Sequence, residues 1–436
     1  MGIIGGGPSG TFCALALLSR ASHAARQVHV TIFDRRPFTE YGPRGCNMCA
    51  GVISHSVVSN MRRLGITIPR DVVQREIEGY RLVTRVGEVH LKKPPNHKIY
   101  TAYRGRGPRW ADWPRERSFD NFLLRTATGA GAEHVPELVT DVVLSPRPQI
   151  VLAKGEMREV DVVIGAFGVN SPMPRRLAGL AFGYRPPRTA TACQAEIPLD
   201  ADYISETFRN EITIFALGLP RVKFAALTPK EEHLTVTLIG ERVRRTDLEA
   251  FLEHPFVRPL LPAGWQMPDR FCSCSPRFPI SRARCPVTDN LAVVGDAHIA
   301  RYFKNGLESA FWTATLAADA VLAGDRSADD LRRRYATPCR KRFGYDNACG
   351  RGLFLIHDVI SRLPLVTAAH VRAARREQTA PASRQRLTRV LWQMFTGDAP
   401  YASILRNAAR PGLQLELAMA VLEETARRLT GMGAVR

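Results

Sequence analysis

Long apolar runs are missing from this chain. No stretch approaches the roughly 18 uninterrupted apolar residues that a membrane span needs, so a helical spanning protein is excluded. A basic leader is also missing from the first twenty residues, and the apolar segment after Met1 is therefore not read as a signal peptide. The expectation is a cytoplasmic protein, with a place at the membrane periphery as the alternative. Lysine is scarce as well: only eight of the 61 basic residues are lysines. The arginines run along the whole chain and are densest at Arg104 to Arg117, Arg242 to Arg245 and Arg372 to Arg376. A net charge of +20 dispersed in this way implies a solvated surface and no specific nucleic-acid partner. The clusters suit anionic lipid or a phosphorylated substrate. The nine cysteines lack the spacing of a disulfide framework. Cys46 and Cys49 form a CxxC pair with no second pair like it, so no metal site is expected and reduced thiols are the reading.

What is present is enough apolar residue, 45% of 436, to bury two or three domain cores, with 23% charged residues to keep them in water. The chain opens on Gly2-Ile3-Ile4, followed by Gly5, Gly7, Pro8, Ser9 and Gly10 in GxGxxG spacing and then an apolar helix from Ala14. Val28 to Phe33 reads as a second strand ending at Asp34, with Arg35 beside it. This is a βαβ unit with an acidic residue about twenty-five positions beyond the loop, the fingerprint of dinucleotide binding. Gly5 allows the tight turn, Gly7 lets backbone approach a pyrophosphate, and Gly10 lets helix and strand pack closely. The helix start offers N–H donors and positive dipole to phosphate, and Asp34 accepts from ribose hydroxyls.

A second site selects the cofactor. Asp289 to Val294 is a buried strand delivering Gly295-Asp296, and Lys304-Asn305-Gly306-Leu307 then opens an Ala-rich helix, Ser309 to Leu322. Asp296 suits a ribityl hydroxyl, and the N–H groups of Asn305, Gly306 and Leu307 suit the N1–C2=O edge of a flavin, where charge gathers on reduction. Lys304 adds charge there or faces solvent. FAD is the expected cofactor, with NAD(P)H or a partner reductase as electron source. A third strand, Val160 to Gly165, runs into a glycine turn.

These three motifs, in this order, resemble the flavoprotein superfamily with the para-hydroxybenzoate hydroxylase fold, and within it the geranylgeranyl reductase branch. Cys49-Ala50-Gly51-Val52-Ile53-Ser54 resembles that branch's loop that carries a cysteine to the isoalloxazine. Arg117-Ser118-Phe119-Asp120 resembles its helix start whose arginine approaches the cofactor, and Ala192 to Glu196 resembles the strand opening its substrate domain. The resemblance implies an α/β fold with α+β insertions. A Rossmann-like FAD/NAD(P)-binding domain (1–70, 101–180, 285–345) is interleaved with an antiparallel-sheet substrate domain (71–100, 181–284), and a helical region follows (346–436). Val139, in a meander of short strands, joins the cofactor residues, and Cys49 is the catalytic candidate.

Two departures matter. Phe167 stands where the superfamily's second cofactor motif carries aspartate, which removes a carboxylate from the nicotinamide side. Phe224 to Pro229 lacks the tryptophan of the branch's substrate-tunnel signature. Trp110 to Pro114 only mimics part of a halogenase motif. The functions in view are an FAD-dependent oxidoreductase working by hydride transfer at N5 on a small hydrophobic, isoprenoid-like or lipid substrate, a monooxygenase on an aromatic or polyketide-like substrate, and a non-catalytic FAD or lipid binder. His55, His97, His233 and His298 are scattered, and His298, after the Gly-Asp turn, is the best of them for a place near the flavin. Leu391 to Phe395 is expected either to pack on the FAD domain or to touch a membrane.

Overall fold

The computed structural model describes residues 1–47, 49–111, 117–303 and 305–430. The chain forms two compact units. The first takes Met1–Gln74, Tyr100–Thr191 and Phe271–Gly344, and the second takes Arg75–Ile99, Ala192–Arg270 and Tyr345–Arg436.

The first unit is built on a six-stranded sheet in the order Val287–Thr288, Leu291–Val293, Val163–Gly165, Gly2–Ile4, Thr31–Phe33, Glu133–Val135. All neighbours are parallel except the first edge pair. The paired lengths are shorter than the apolar runs of the sequence: Thr31–Phe33 pairs where Val28 to Phe33 was expected. Both faces of the four inner strands are buried, which is why they read as continuous apolar runs. Ile3, Ile32, Ile164 and Ala292 face a helical core, and Ile4, Phe33, Val163, Leu291 and Val293 face a second core. The helical face carries Pro8–His23 and Gly306–Ala323, whose Phe12 and Phe311 rings meet edge-on at 5.5 Å. The other face is covered by the antiparallel meander Val139–Val143, Gln149–Leu152 and Met157–Glu159, which buries Val139, Val142 and Ile150. The chain leaves Gly2–Ile4 for one side of the sheet and returns later on the other. The carboxyl end of that strand is therefore a topological switch point, where open α/β sheets hold ligands.

The second unit carries a sheet in the order Thr189–Pro198, His233–Gly240, Val222–Pro229, Glu211–Ala216, Gly79–Thr84, Gly87–Lys92, its first strand entering from the first unit. The sheet is not wholly antiparallel, because Glu211–Ala216 runs parallel to Gly79–Thr84. The helices beyond Tyr345 form a C-terminal helical region that groups with this unit. They break at the prolines: Pro364–Glu377 and Pro411–Leu429 each begin on one, and Tyr401–Ala408 follows Pro400. Trp392 and Phe395, on Arg386–Thr396, are buried in this second unit. Trp392 meets Tyr80 edge-on at 5.4 Å, and Phe395 lies 6.5 Å from Phe224. That corrects both readings of this segment, since its aromatic face is used up within its own unit. Among the described residues no single helix is long and apolar enough to cross a membrane.

Candidate functional site

The glycine turn is shaped by close approach. Gly5 has φ +110° and donates its N–H to Phe33 O at 2.8 Å, and a Cβ there would lie 2.6 Å from Ala166 O. A Cβ on Gly10 would overlap Gly5 O, so the helix start sits directly on the turn. Gly7 differs. A Cβ there would meet only the Asn47 amide, at 3.1 Å. Gly7 is the N-cap of Pro8–His23 and offers no side-chain cap, while Pro8 fills the first helical position. The first-turn N–H groups, Ser9 and Gly10 among them, are thus left for a ligand, as an anion-binding helix start requires. Asp34 faces the turn. Its carboxylate accepts from the Gly6 N–H at 2.9 Å and from the Arg36 N–H at 3.0 Å, with the Arg36 guanidinium also on it. Asp34 thereby fixes the loop as well as presenting acceptor oxygens. Arg35 points outward and is exposed, whereas Val139 is buried in the meander.

The Gly-Asp turn packs on the same helix start. Gly295 has φ +65°, and a Cβ on it would overlap Ser9 Oγ, which brings the first and last motifs of the sequence together. Its N–H donates to Thr313 Oγ1 at 2.9 Å. Asp296, next in the chain, makes no hydrogen bond or ion pair with protein among the described residues. Burial pushes its carboxyl up to about 6, against the opposing charge of Arg104. A half-buried carboxylate without a partner is costly unless something donates to it. A ribityl hydroxyl is such a donor, and Gly306, whose Cβ would come no nearer than 3.9 Å to Asp296 Oδ1, keeps the space beside it open. The residues fit FAD on these grounds.

Asn305 adopts the left-handed conformation, φ 54°, and caps Gly306–Ala323 by accepting from the Glu308 N–H at 3.2 Å. Its amide donates to Ser54 Oγ and Ser56 Oγ, both at 3.0 Å. This pins the Cys49–Ser54 loop to the start of the helix assigned to the flavin end. Leu307 is buried behind it. Gly51 in the loop has φ +78°, with Ala102 O where a Cβ would be. Cys49 is half-buried. Lys304 lies outside the described residues, as do Met48 and Trp113-Pro114.

The sequence reading passed over a buried cluster beside this loop. Arg104 grips Asp120 through Nε at 2.6 Å and through its second nitrogen at 3.0 Å, and the Asn47 amide donates to the same carboxylate. Arg104 is 7% exposed and Asp120 0%. Burial opposes the Arg104 charge, but Asp120 outweighs it and the guanidinium pKa rises, with Cys49 and Cys46 within electrostatic reach. The Phe119 N–H donates to Tyr103 O at 2.9 Å, and Ser118 Oγ donates to Arg104 O at 3.1 Å. The strand ending near Arg104 therefore hands over directly to the helix Phe119–Gly129. Arg104, not the half-buried Arg117, is the arginine locked at this helix start. Asp120 is a first-turn acid of that helix, but nothing in the local spacing joins it to Arg104.

His298 is 3% exposed and turned into the core. Tyr335 Oη donates to Val293 O at 2.6 Å and so accepts from His298 Nδ1 at 2.8 Å. Burial, helped by Arg282, lowers the imidazole pKa to about 3, and the ring stays neutral. Phe167 lies over Gly165, its ring 2.6 Å from where a Cβ would be. Among the described residues no three His, Cys, Asp or Glu side chains gather as metal ligands.

A glycine turn and a Gly-Asp turn packed on one helix start, at the switch point of a parallel sheet, define the class of FAD-dependent oxidoreductases. Residues 2–63 match an FAD-NAD(P)-binding family. The chain is 25% identical over 358 residues to the "Probable electron transfer flavoprotein-quinone oxidoreductase YdiS" of Escherichia coli (strain K12), covering 75% of this chain and 77% of that one. Among solved structures it is similar to a geranylgeranyl bacteriochlorophyll reductase-like protein from Thermoplasma acidophilum. The TM-score is 0.66 at 19% identity, over 96% of this chain and 98% of the other. It is also similar to the flavin-dependent halogenase CmlS, with TM-score 0.61 and 17% identity over 94% and 76% of the two chains. A further likeness is to 2-methyl-3-hydroxypyridine-5-carboxylic acid oxygenase, with TM-score 0.56 and 17% identity over 85% and 95%. The fold is the one expected from the sequence, and FAD is the cofactor that the N-terminal match supports.

Proposed function

We propose that this flavoprotein exchanges a hydride with a carbon–carbon bond of a small hydrophobic, isoprenoid-like or lipid substrate. FAD, when bound, supplies the hydride chemistry at N5. The observation that carries the reading is the tie from Asn305 to Ser54 and Ser56, which holds the Cys49 loop at the end of the site assigned to the flavin ring. Asp296 and the N–H groups at the start of Gly306–Ala323 orient the ring end, Asp34 and the glycine turn hold the other end, and Cys49 is the loop's catalytic candidate. Arg104, fixed by Asp120, lies within electrostatic reach of Cys49. Phe167 over Gly165 favours electrons arriving from a partner reductase or quinone over a nicotinamide docked beside the pyrophosphate, in keeping with the quinone oxidoreductase named among the relatives.

The test is anaerobic. Protein reduced with dithionite is mixed with an isoprenoid alkene, and reoxidation of the flavin absorbance together with saturated product supports the proposal. The oxygenase reading, which the shared fold with an oxygenase and a halogenase favours, requires oxygen uptake with hydroxylated or halogenated product instead. A protein whose bound flavin never bleaches would be a binder without turnover.

A further inference from the structure

We infer that the outer face of the last helix, Pro411–Leu429, is a docking surface for an anionic lipid bilayer. The helix has two apolar faces, and only one is used. Leu413 and Ala420 are buried. On the other side Leu415, Met419, Leu422 and Leu429 are 62%, 47%, 69% and 83% exposed, with exposed Ala418 and Ala426 completing the strip. Positions 415, 419, 422, 426 and 429 follow the alternating four-and-three spacing of a continuous stripe along an α-helix. Four large aliphatic side chains in one row exceed the scattered exposure that a folded surface ordinarily tolerates.

Charge decides what covers the stripe. The acids of this helix are already neutralised within the unit: Glu416 pairs with Arg386 at 3.1 Å, Glu423 with Arg376 at 2.5 Å, and Glu424 with Arg372. From Tyr345 to Arg436 there are thirteen arginines and seven acidic residues, and Arg410 and Arg427 stand exposed towards the two ends of the stripe. An apolar row flanked by exposed arginines, in a region where arginines outnumber acids, is the pattern that lies in the interface of an anionic bilayer. A second copy of this chain is a poorer occupant, since each copy carries +20 and would bring the same positive surface against itself. The inference stands independently of the reaction proposed above.

The experiment is vesicle co-sedimentation of the full FAD-loaded protein, with size-exclusion chromatography alongside. The variants are Leu415→Glu with Leu422→Glu, and as a control Leu355→Glu with Val359→Glu on a different exposed apolar patch. The expected result has three parts. Wild type binds mixed phosphatidylcholine and phosphatidylglycerol vesicles, and salt weakens that binding. Vesicles of phosphatidylcholine alone are bound little. The Leu415/Leu422 variant loses at least roughly tenfold in binding, with its flavin content and circular dichroism unchanged. No binding by wild type, undiminished binding by that variant, or loss confined to the Leu355/Val359 variant would overturn the inference. So would a wild-type dimer that the Leu415/Leu422 variant converts to monomer, because a second copy would then be the occupant.

Discussion

Replacing Asp296 with asparagine is expected to move cofactor affinity and apoprotein stability in opposite directions. In the apoprotein the carboxylate has no protein donor, and its pKa is pushed up from an ordinary 3.8 to about 6. A folded-state pKa above the unfolded one means that the folded chain binds the extra proton. Stability is therefore undiminished below about pH 4, falls as pH rises through 4 to 6, and stays lowered above that. Two pKa units would correspond to about 3 kcal/mol, and partial solvent contact reduces this to about 1–2 kcal/mol. Asp296→Asn removes that penalty, so the apoprotein variant should melt above wild type at pH 8 and level with it at pH 4. For FAD the sign reverses. A charge-assisted hydrogen bond from a ribityl hydroxyl is worth about 1.5–3 kcal/mol, so the variant should bind FAD roughly 10- to 150-fold more weakly at pH 8. Wild-type affinity should rise with pH through about 6, and the variant should be flat. Differential scanning fluorimetry of apoprotein and fluorescence titration with FAD read both quantities. An apo Asp296→Asn protein less stable than wild type at pH 8, or one with full FAD affinity, would refute the reasoning.

Gly10→Ala should yield no folded, FAD-binding protein, because its Cβ would overlap Gly5 O, whereas Gly7→Ala should fold and lose FAD affinity only; circular dichroism and flavin content separate the two. Asp120→Asn leaves Arg104 buried without its counter-charge and should lower stability by about 3–5 kcal/mol in urea denaturation, while Arg117→Ala should do far less. Cys49→Ala should keep FAD bound and change turnover or product, and unchanged turnover would return the thiol to a packing role. His298, with its pKa lowered to about 3, makes wild-type stability rise as pH climbs from about 3 to 6.5, since the unfolded chain takes the proton in that window. His298→Gln should flatten that part of the pH–stability curve.

The parts of the site that were legible in the sequence are those where backbone geometry permits few residue types. Gly5 and Gly295 are at positive φ and Gly10 is pressed against carbonyl oxygen, so the glycines mark the turns wherever they occur. The Asp34 carboxylate could be assigned to the turn for a related reason: it ends the strand beside the glycine loop, and its distance in sequence is set by one helix. The Arg104–Asp120 pair was not legible, because sixteen residues separate partners that share one hydrogen-bonding edge. The family resemblance instead pointed to Arg117, the nearer arginine. The setting of His298 was hidden for a different reason. It follows the Gly-Asp turn in sequence, but its hydrogen-bond partner, Tyr335 Oη, comes 37 residues later. The same limit explains Trp392. The apolar aromatic segment Leu391 to Phe395 read as packing on the FAD domain or touching a membrane, and only the packing shows that it has found Tyr80 and Phe224. Cofactor contacts made by backbone thus leave a strong trace in a single sequence. The side-chain pairs beside the Cys49 loop leave almost none, which is why the cofactor could be read before the substrate.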